Sequence, residues 1–376
     1  MFSVVLFAIG FVPAEPLRKP ETPKNSSWVG QTVYVRANAV RIDTALEPND
    51  AVTPPKDGIL SNMLSYRVYA ERPNHVQVKT REGVIGWIRK ADVVLFEEAA
   101  AVFTEEIEKS PTNLSGYNRR AAVWRMKGEL DAALKDATEA IRLSPQAALY
   151  NNRALIWHSK KDYAKALADY AEALKLQPQY TLAFANRATV WHAMKEYDKA
   201  IDDTTKALQI QPRLPSALRT RGFAYHAKKE YDNAIKDYNL ALEIDAKASQ
   251  VLVDRAKAFA AKKENAKALD DFNLALKYEP ANAAWSAETA FWLASCSDGK
   301  YRDGKRAVQL AEHARKLERT NAFVLQALAA AHAELGQFAD AIRWQEYAML
   351  DPALRDNNEA RQRLELYRKS VPYRRE

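Results

Sequence analysis

A proline recurs at a nearly fixed interval in the middle of the chain, and this interval constrains the fold more than any other feature. The successive intervals are 34, 33, 34 and 68 residues, and Ala246 stands where a proline is missing from the last one. The prolines are Pro111, Pro145, Pro178, Pro212 and Pro280. A period in this range is typical of a solenoid, in which short structural units stack in one direction. The sequence therefore predicts a repetitive binding scaffold.

Five repeats align when the proline, or Ala246, is numbered position 32 of each. They start at Leu114, Ala147, Thr181, Pro215 and Ser249. Positions 8, 20 and 27 are small, and position 11 is aromatic in Trp124, Trp157, Trp191, Tyr225 and Phe259. Positions 4, 8 and 11 share one face of a first helix, and positions 20, 24 and 27 share one face of a second. Small residues allow two helices to approach closely, and we expect the tryptophans to be buried beside that contact.

These recurring positions resemble the tetratricopeptide repeat. The resemblance implies two antiparallel helices per repeat, stacked into a right-handed superhelix with a concave groove that binds peptides. The sequence departs from the common pattern at position 7, which is arginine throughout, at Ala246, and at Asn265 in place of the usual tyrosine.

Two complete columns of opposite charge run through the repeats. Position 7 is Arg120, Arg153, Arg187, Arg221 and Arg255, and position 23 is Asp136, Asp169, Asp203, Asp237 and Asp271. Because one column lies on each helix, the pattern predicts a regular ion pair between helices rather than a ligand site.

The array continues beyond Pro280 with less regular repeats. Trp285–Ser297 resembles another first helix, and the turn that follows it carries five extra residues within Asp298–Gly304. A seventh repeat is predicted from Ala322. Arg355–Lys369 has helical character and is expected to cap the array, as solenoids require.

A different period marks the segment before the repeats. Runs such as Thr32–Arg36 and His75–Lys79 alternate apolar and polar residues, as half-buried strands do. Trp28-Val29-Gly30, Gly86-Trp87-Ile88 and the strand lengths resemble the bacterial Src-homology-3-like domain. That resemblance implies a small barrel that serves as a ligand-binding or targeting module in exported bacterial proteins. Trp87 and Tyr69 are candidate ligand contacts, although Trp87 is expected to fill the core.

The predicted fold is therefore multidomain, a small all-β barrel followed by an all-α repeat solenoid. The predicted segments are a possible signal peptide at 1–14, a linker at 15–27, the barrel at 28–97, a connecting helix at 98–111, five regular repeats at 114–281, two divergent repeats at 282–352, and a capping helix with a basic tail at 353–376. The signal interpretation rests on an apolar run of 11 residues, Phe2–Val12, with no Lys or Arg before it. The alternatives are a frayed uncleaved end or a misassigned start codon. The run favours export to the periplasm or cell envelope, with a cytoplasmic location as the alternative, and it is too short to span a membrane.

The sequence offers no enzyme motif. We find no glycine-rich phosphate loop, no paired-cysteine metal spacing and no Gly-x-Ser-x-Gly elbow, and we predict no catalytic residue, cofactor or metal. The net charge of +8 is spread over 376 residues, so no specific nucleic-acid partner is expected. The single cysteine, Cys296, says little about redox compartment.

On each first helix, positions 2, 5, 9 and 12 form a stripe that faces away from the second helix, and its polar residues, with those of position 6, are the candidate peptide-binding groove. The candidates are Asn118, Arg125, Asn151, Asn152, His158, Asn186, His192, Arg219 and His226. Asparagine amides can both donate to and accept from a peptide backbone. Neighbouring helices pack about 8–10 Å apart, which is too far for three histidines in line to share one zinc ion. The histidines are expected to be a row of hydrogen-bonding groups in the groove or, as the simpler alternative, solvated surface. The family's carboxylate clamp for chaperones also needs lysines that this stripe lacks.

Two functions are consistent with this pattern. In the first, the chain is a non-enzymatic scaffold whose groove binds a peptide segment of a protein partner, while the barrel supplies a second contact or a location. In the second, the barrel targets the protein to a cell-wall or surface ligand and the repeats act as a spacer. Lysines in the turns, such as Lys195 and Lys229, favour helix ends, or alternatively an acidic partner.

Overall fold

The computed structural model describes Ser27, Val29 and residues 31–35, 39–41, 59–61, 65–79 and 85–375. The chain divides into two compact units, residues 1–143 and 144–376. The predicted signal peptide, nearly all of the predicted linker, Trp28, Gly30 and the glycine turn at 81–83 lie outside the described residues. Within the described ranges, no helix has the length and apolar character needed to cross a membrane.

The first unit begins with short strands. The described strands are β1 (Thr32–Val35), β2 (Ala39–Arg41), β3 (Ile59–Ser61), β4 (Ser65–Arg67), β5 (Ala70–Glu71), β6 (His75–Lys79), β7 (Ile85–Arg89) and β8 (Val93–Leu95). Strand β1 pairs antiparallel with β4 and β8, β6 pairs antiparallel with β5 and β7, and β2 pairs with β3.

One apolar cluster joins the two three-stranded sheets. Val33, Val76 and Ile88 are at most 2% exposed within it. The predicted closed barrel is wrong for the described strands, because they pair in separate sheets of order β4-β1-β8, β2-β3 and β5-β6-β7. The two three-stranded sheets meet through side chains and not through a continuous backbone ladder. Trp87 is 5% exposed, as the core interpretation expected, whereas Tyr69 is 54% exposed.

Helices make up most of the remaining chain. In the first unit they are α1 (Phe96–Lys109), α2 (Leu114–Lys127) and α3 (Leu130–Leu143). In the second they are α4 (Ala147–Ser159), α5 (Tyr163–Leu176), α6 (Thr181–Ala193), α7 (Tyr197–Ile210), α8 (Pro215–Ala227), α9 (Tyr231–Ile244), α10 (Ser249–Ala261), α11 (Asn265–Tyr278), α12 (Ala283–Ser295), α13 (Gly304–Leu317), α14 (Ala322–Glu334), α15 (Phe338–Ala348), α16 (Pro352–Arg355) and α17 (Asn358–Arg368). From α2 to α15, each even-numbered helix packs against the odd-numbered helix that follows it.

Small residues set the distance between the paired helices. The alanines at positions 20 and 27 of the five regular repeats are at most 1% exposed. At position 8 of the fourth repeat, a Cβ atom added to Gly222 would lie 2.5 Å from the ring of Tyr238. That close approach leaves no room for a Cβ atom at Gly222.

The tryptophans of position 11 were predicted to be buried, and this prediction is wrong, because all three are half-buried. The Nζ atom of Lys165 lies 4.4 Å from the ring centroid of Trp157, and that of Lys199 lies 4.7 Å from the ring centroid of Trp191. Each lysine covers its indole ring while leaving part of it in contact with water.

The predicted pairing of arginine with aspartate is confirmed in all five repeats. Each arginine donates through Nε and Nη2 to the two carboxylate oxygens, at 2.7–2.8 Å. The aspartate side chains are at most 8% exposed, and those of the arginines at most 21%. Each pair therefore joins the first and second helices of its own repeat.

The extra residues after α12 form a short 3-10 helix, Gly299–Tyr301. The guanidinium of Arg302 then donates through Nη1 to the carbonyl of Cys296 at 3.0 Å and through Nε to Glu334 at 3.0 Å. The inserted turn is thus tied to both α12 and α14, the first helices of the last two repeats.

Candidate peptide-binding groove

Three histidines occupy position 12 of consecutive repeats in the second unit. His158 of α4, His192 of α6 and His226 of α8 are each half-buried. Each ring lies against the tyrosine that opens the second helix of the same repeat, with centroids 5.9, 5.5 and 5.3 Å apart; the tyrosines are Tyr163, Tyr197 and Tyr231. These ring contacts orient the imidazoles. We call the three residues the histidine row.

Burial lowers the pKa of all three imidazoles below the ordinary value for histidine. For His226, burial is the largest cause of the lowered pKa, and the charges of Arg375 and Lys257 lower it further, against a backbone hydrogen bond at Lys257. The rings are therefore neutral at pH 7, and a neutral imidazole carries one donor and one acceptor.

Phe223 extends the histidine row and was not among the predicted residues. Its ring centroid lies 5.7 Å from that of His192, and the guanidinium of Arg219 lies 4.9 Å from the Phe223 centroid. Phe223 is at position 9, which holds a different residue type in each regular repeat. A position without a recurring residue gives no periodic signal. The apolar side chain of Phe223 on the predicted groove stripe was a local signal that could have identified it.

The predicted asparagines of the second unit hydrogen-bond to one another. Asn186 donates through Nδ2 to Oδ1 of Asn151 at 3.0 Å, and Asn151 donates to Oδ1 of Asn152 at 3.3 Å. Asn151 is only 4% exposed. These amides therefore connect α4 to α6, and their use as a peptide clamp stays a prediction.

Arg219 makes a comparable connection between α8 and α10. Its Nε atom lies 2.8 Å from Oδ2 of Asp254, and Gln250 donates to the other oxygen at 3.2 Å. Asp254 is 1% exposed, and burial raises the pKa of its carboxyl while the charge of Arg219 lowers it. Lys257 pairs with Glu288 between α10 and α12. We call these contacts, together with Asn151–Asn186, the junction pairs.

The two other predicted groove residues lie in the first unit. Asn118 and Arg125 are both on α2 and are half-buried. The structure thus gathers seven of the nine predicted residues in the second unit, on α4, α6 and α8.

The turn lysines have two different roles in the structure. At position 14, Lys228 and Lys262 pair with Asp198 and Asp232 of the preceding repeat. At position 15, the lysines adopt a left-handed backbone with φ of 62–63°; they are Lys161, Lys195, Lys229 and Lys263. Gly128 and Gly336 have φ of 82° and 75° where their own first helices end. Left-handed residues of this kind end helices, and glycine adopts the conformation without steric cost.

A segment near the end of the chain returns to the face of the first helices. We call Ser370–Arg375 the return segment. Ser370 has φ of 55° and turns the chain after α17. The backbone N–H of Arg375 donates to the carbonyl of Ser295 at 2.8 Å, in a parallel bridge beside Cys296. The extended segment therefore lies along the end of α12.

Two side chains anchor the return segment. The ring of Tyr373 lies 6.0 Å from that of Phe291, and the guanidinium of Arg363 lies 5.5 Å from Tyr373 and 5.7 Å from Phe291. The Nη1 atom of Arg374 lies 2.7 Å from Oε2 of Glu334 and 3.2 Å from the carbonyl oxygen of Ala294. The sequence predicted only a basic tail here, because a single, non-repeating contact leaves no period to detect.

Among the residues that the structure describes, no three His, Cys, Asp or Glu side chains come together as a metal site. The candidate site residues instead are the neutral imidazoles of the histidine row, the aromatic rings beside them, and the carboxylate of Glu334 that pairs with Arg374. These groups can form hydrogen bonds, stack and bind a cation.

Family models for the tetratricopeptide repeat match residues 147–180 and 218–247. A curated relative, the tetratricopeptide repeat protein 36 homolog of Nematostella vectensis, is 36% identical over 75 residues. That match covers 20% of this chain and 41% of the relative. The chain therefore spans less than half the length of this relative.

Solved structures of low sequence identity share the fold. Yeast Tom70 aligns with a TM-score of 0.54 and 21% identity over 73% of this chain and 59% of its own. A tetratricopeptide repeat protein from Parabacteroides merdae aligns with a TM-score of 0.53 and 21% identity over 71% of this chain and 98% of its own. The chain thus carries tetratricopeptide repeats and folds over most of its described length as a helical solenoid of that type.

Proposed function

We propose that the chain is a non-enzymatic interaction scaffold whose groove binds an extended peptide segment of a partner protein. The observation that carries the proposal is that this face already holds an extended segment. The return segment contacts Phe291, Ala294 and Ser295, which are positions 9, 12 and 13 of the repeat that starts at Ala283. Position 12 is also the position of the histidine row.

The histidine row supplies groups suited to a peptide backbone. First helices of adjacent repeats lie roughly 10 Å apart, and an extended chain rises about 3.3 Å per residue. One neutral imidazole therefore meets the peptide about every third residue. Each imidazole can donate to a peptide carbonyl or accept from a peptide N–H, while Phe223 offers an apolar contact.

We assign the strand region a supporting role as a second contact. Among the described residues of this region, Tyr69 is an exposed aromatic side chain, whereas Trp87 is covered by Arg72, whose guanidinium lies 4.1 Å from a ring of the indole. In this proposal, export and binding to a cell-wall ligand determine the location of the scaffold. The groove is the principal surface that binds the partner.

A peptide selection tests the proposal. Peptides are selected from a random-sequence library on the full chain, and their affinities are measured by fluorescence anisotropy. The triple variant His158→Ala/His192→Ala/His226→Ala is expected to bind the selected peptides at least about tenfold more weakly, because each imidazole contributes roughly 0.5–1.5 kcal/mol as a hydrogen-bonding group. His313→Ala, which removes an exposed histidine on the second helix α13, is the matched control and is expected to bind normally. Equal affinity of the triple variant would contradict the proposal.

A further inference from the structure

We propose that the surface under the return segment is a specific binding site for an extended peptide with an aromatic residue followed by arginine, and that this chain closes the site in cis. The inference rests on the proposed function and names the peptide chemistry and the regulation of the same groove. A partner segment of matching chemistry binds only after it displaces the return segment.

The aromatic half of the site is a partly buried cage. Phe291 is 6% exposed, and its ring centroid lies 5.9 Å from that of Phe323 and 6.0 Å from that of Tyr373, the aromatic side chain of the return segment. Arg363, which is also 6% exposed, covers the Phe291 and Tyr373 rings and donates to Gln326 at 2.9 Å. Rings and a guanidinium in this arrangement select an aromatic side chain.

The acidic half of the site is Glu334. Its side chain is 14% exposed and lies between two arginines, Arg302 of the inserted turn and Arg374 of the return segment. Arg302 is also fixed by the carbonyls of Cys296 and Ser297. Glu334 is thus held in place by one arginine while its second oxygen receives the arginine of the bound segment, and this arrangement favours a cationic ligand at that point.

Backbone contacts set the direction of the segment. Arg375 forms a parallel β-bridge with Cys296, and its backbone N–H donates to the carbonyl of Ser295 at 2.8 Å. Pro372 restrains the backbone before Tyr373, and a residue before proline favours an extended conformation. The segment therefore binds as an extended peptide whose side chains enter two adjacent sites, the usual division between backbone affinity and side-chain specificity.

Tethering makes the closure in cis effective. Only Lys369 and Ser370 separate the end of α17 from the return segment's extended part, and a short tether gives an effective concentration of about millimolar. A free peptide of micromolar affinity therefore competes poorly until the tethered segment is weakened. Closure by the tethered return segment therefore makes the site selective for partners that bind tightly or at several sites.

The test uses a labelled peptide of residues 370–376, Ser-Val-Pro-Tyr-Arg-Arg-Glu, and fluorescence anisotropy. A chain that ends at Lys369 is expected to bind the probe saturably, and the full chain at least about tenfold more weakly. Replacing the tyrosine or the first arginine of the probe by alanine is expected to weaken binding about tenfold. In the shortened chain, Glu334→Gln is expected to weaken binding about tenfold, while Glu346→Gln, on the 50%-exposed side chain of α15, is expected to have no effect.

A second variant covers the case in which the shortened chain loses helicity. The full-length double variant Tyr373→Ala/Arg374→Ala keeps the backbone of the segment and removes its anchors, and it is expected to bind the probe more tightly than the natural chain. Labelling of Cys296, the single thiol of the chain, is expected to be faster in this variant. Equal probe affinity in the natural chain and a helical variant, or a scrambled probe that binds as well, would overturn the inference.

The readouts also separate this inference from the proposed function. His158 and His192 are not part of the Tyr373 and Arg374 site, so the double variant His158→Ala/His192→Ala in the shortened chain is expected to bind the probe normally. Loss of probe binding with retained histidine-dependent binding of library peptides overturns the inference alone. A full chain that is a dimer by light scattering and a monomer without residues 370–376 would place the segment in a second copy and overturn closure in cis.

Discussion

Arg187 donates through Nε and Nη2 to the two carboxylate oxygens of Asp203, each at 2.7 Å. Trp191 donates through Nε1 to the same carboxylate at 3.1 Å, so that three donors from α6 fix one acceptor on α7. Such a bidentate contact fixes orientation as well as distance. Its recurrence in every regular repeat makes it the main polar connection between the paired helices.

Removing one partner of this ion pair is expected to be costly. Arg187→Leu should lower the free energy of unfolding by about 3 kcal/mol, because the nearly buried Asp203 loses its cation. Urea unfolding followed by circular dichroism measures the change. Arg213→Leu, at an exposed arginine, is the control and should change stability by less than about 0.5 kcal/mol. A midpoint for Arg187→Leu equal to that of the control would show that the pair does not stabilise the fold.

The left-handed lysines predict a stabilising substitution. Lys195→Gly should raise the free energy of unfolding by roughly 0.5–1 kcal/mol, because glycine adopts φ of 62° without a steric penalty from Cβ. Lys195→Ala keeps the Cβ atom and removes only the charge, so it should give no gain. If the two variants melt at the same temperature, the backbone conformation is not the source of the effect.

Gly222 predicts the opposite outcome for a substitution that normally favours a helix. Gly222→Ala should lower the free energy of unfolding by about 1–3 kcal/mol despite the higher helix propensity of alanine, since its Cβ would meet the Tyr238 ring at 2.5 Å. In a chain that already carries Tyr238→Ala, the same change should be nearly neutral. A destabilisation of equal size in both chains would mean that the contact with Tyr238 is not its cause.

The histidine row predicts a pH dependence of stability. Because burial lowers the pKa of His158, His192 and His226 in the folded chain, the unfolded chain binds more protons as the pH falls below about 6.5. The stabilisation of the folded chain by these neutral histidines is therefore fully present above about pH 6.5. It is lost as the pH falls through the lowered pKa values of the histidines in the folded chain. Melting temperatures at about pH 7 and about pH 5 should differ less in His158→Gln/His192→Gln/His226→Gln than in the natural chain. An identical difference would exclude these histidines as its source.

Contacts inside one repeat could be predicted from the sequence, because they recur. Arg187 and Asp203 each stand in a complete column, and every first helix from α2 to α10 begins at the aligned first residue of its repeat. The exposure of Trp191 could not be judged in the same way, since a period identifies a helix face and does not show which lysine covers it.

Contacts between repeats and contacts made once could not be predicted. Asn151 and Asn186 were expected to face a peptide, and nothing in an alignment of repeats shows that side chains of adjacent repeats meet. The return segment has no second copy in the sequence, so Tyr373 and Arg374 carried no pattern. The strand pairing could not be predicted either, because the alternation of apolar and polar residues identifies strands and does not show whether they close into one sheet.

The junction pairs have a consequence for the evolution and engineering of this array. The junctions differ in their residues: Asn151–Asn186 is an amide pair, whereas Arg219–Asp254 and Lys257–Glu288 are ion pairs. Excision of residues 215–248 would keep the helical frame but bring Ala185 to the place of Arg219, beside a carboxylate that is 1% exposed. A buried carboxylate without its cation is strongly unfavourable. The repeats share one architecture, yet the fourth repeat cannot be deleted without also redesigning the fifth.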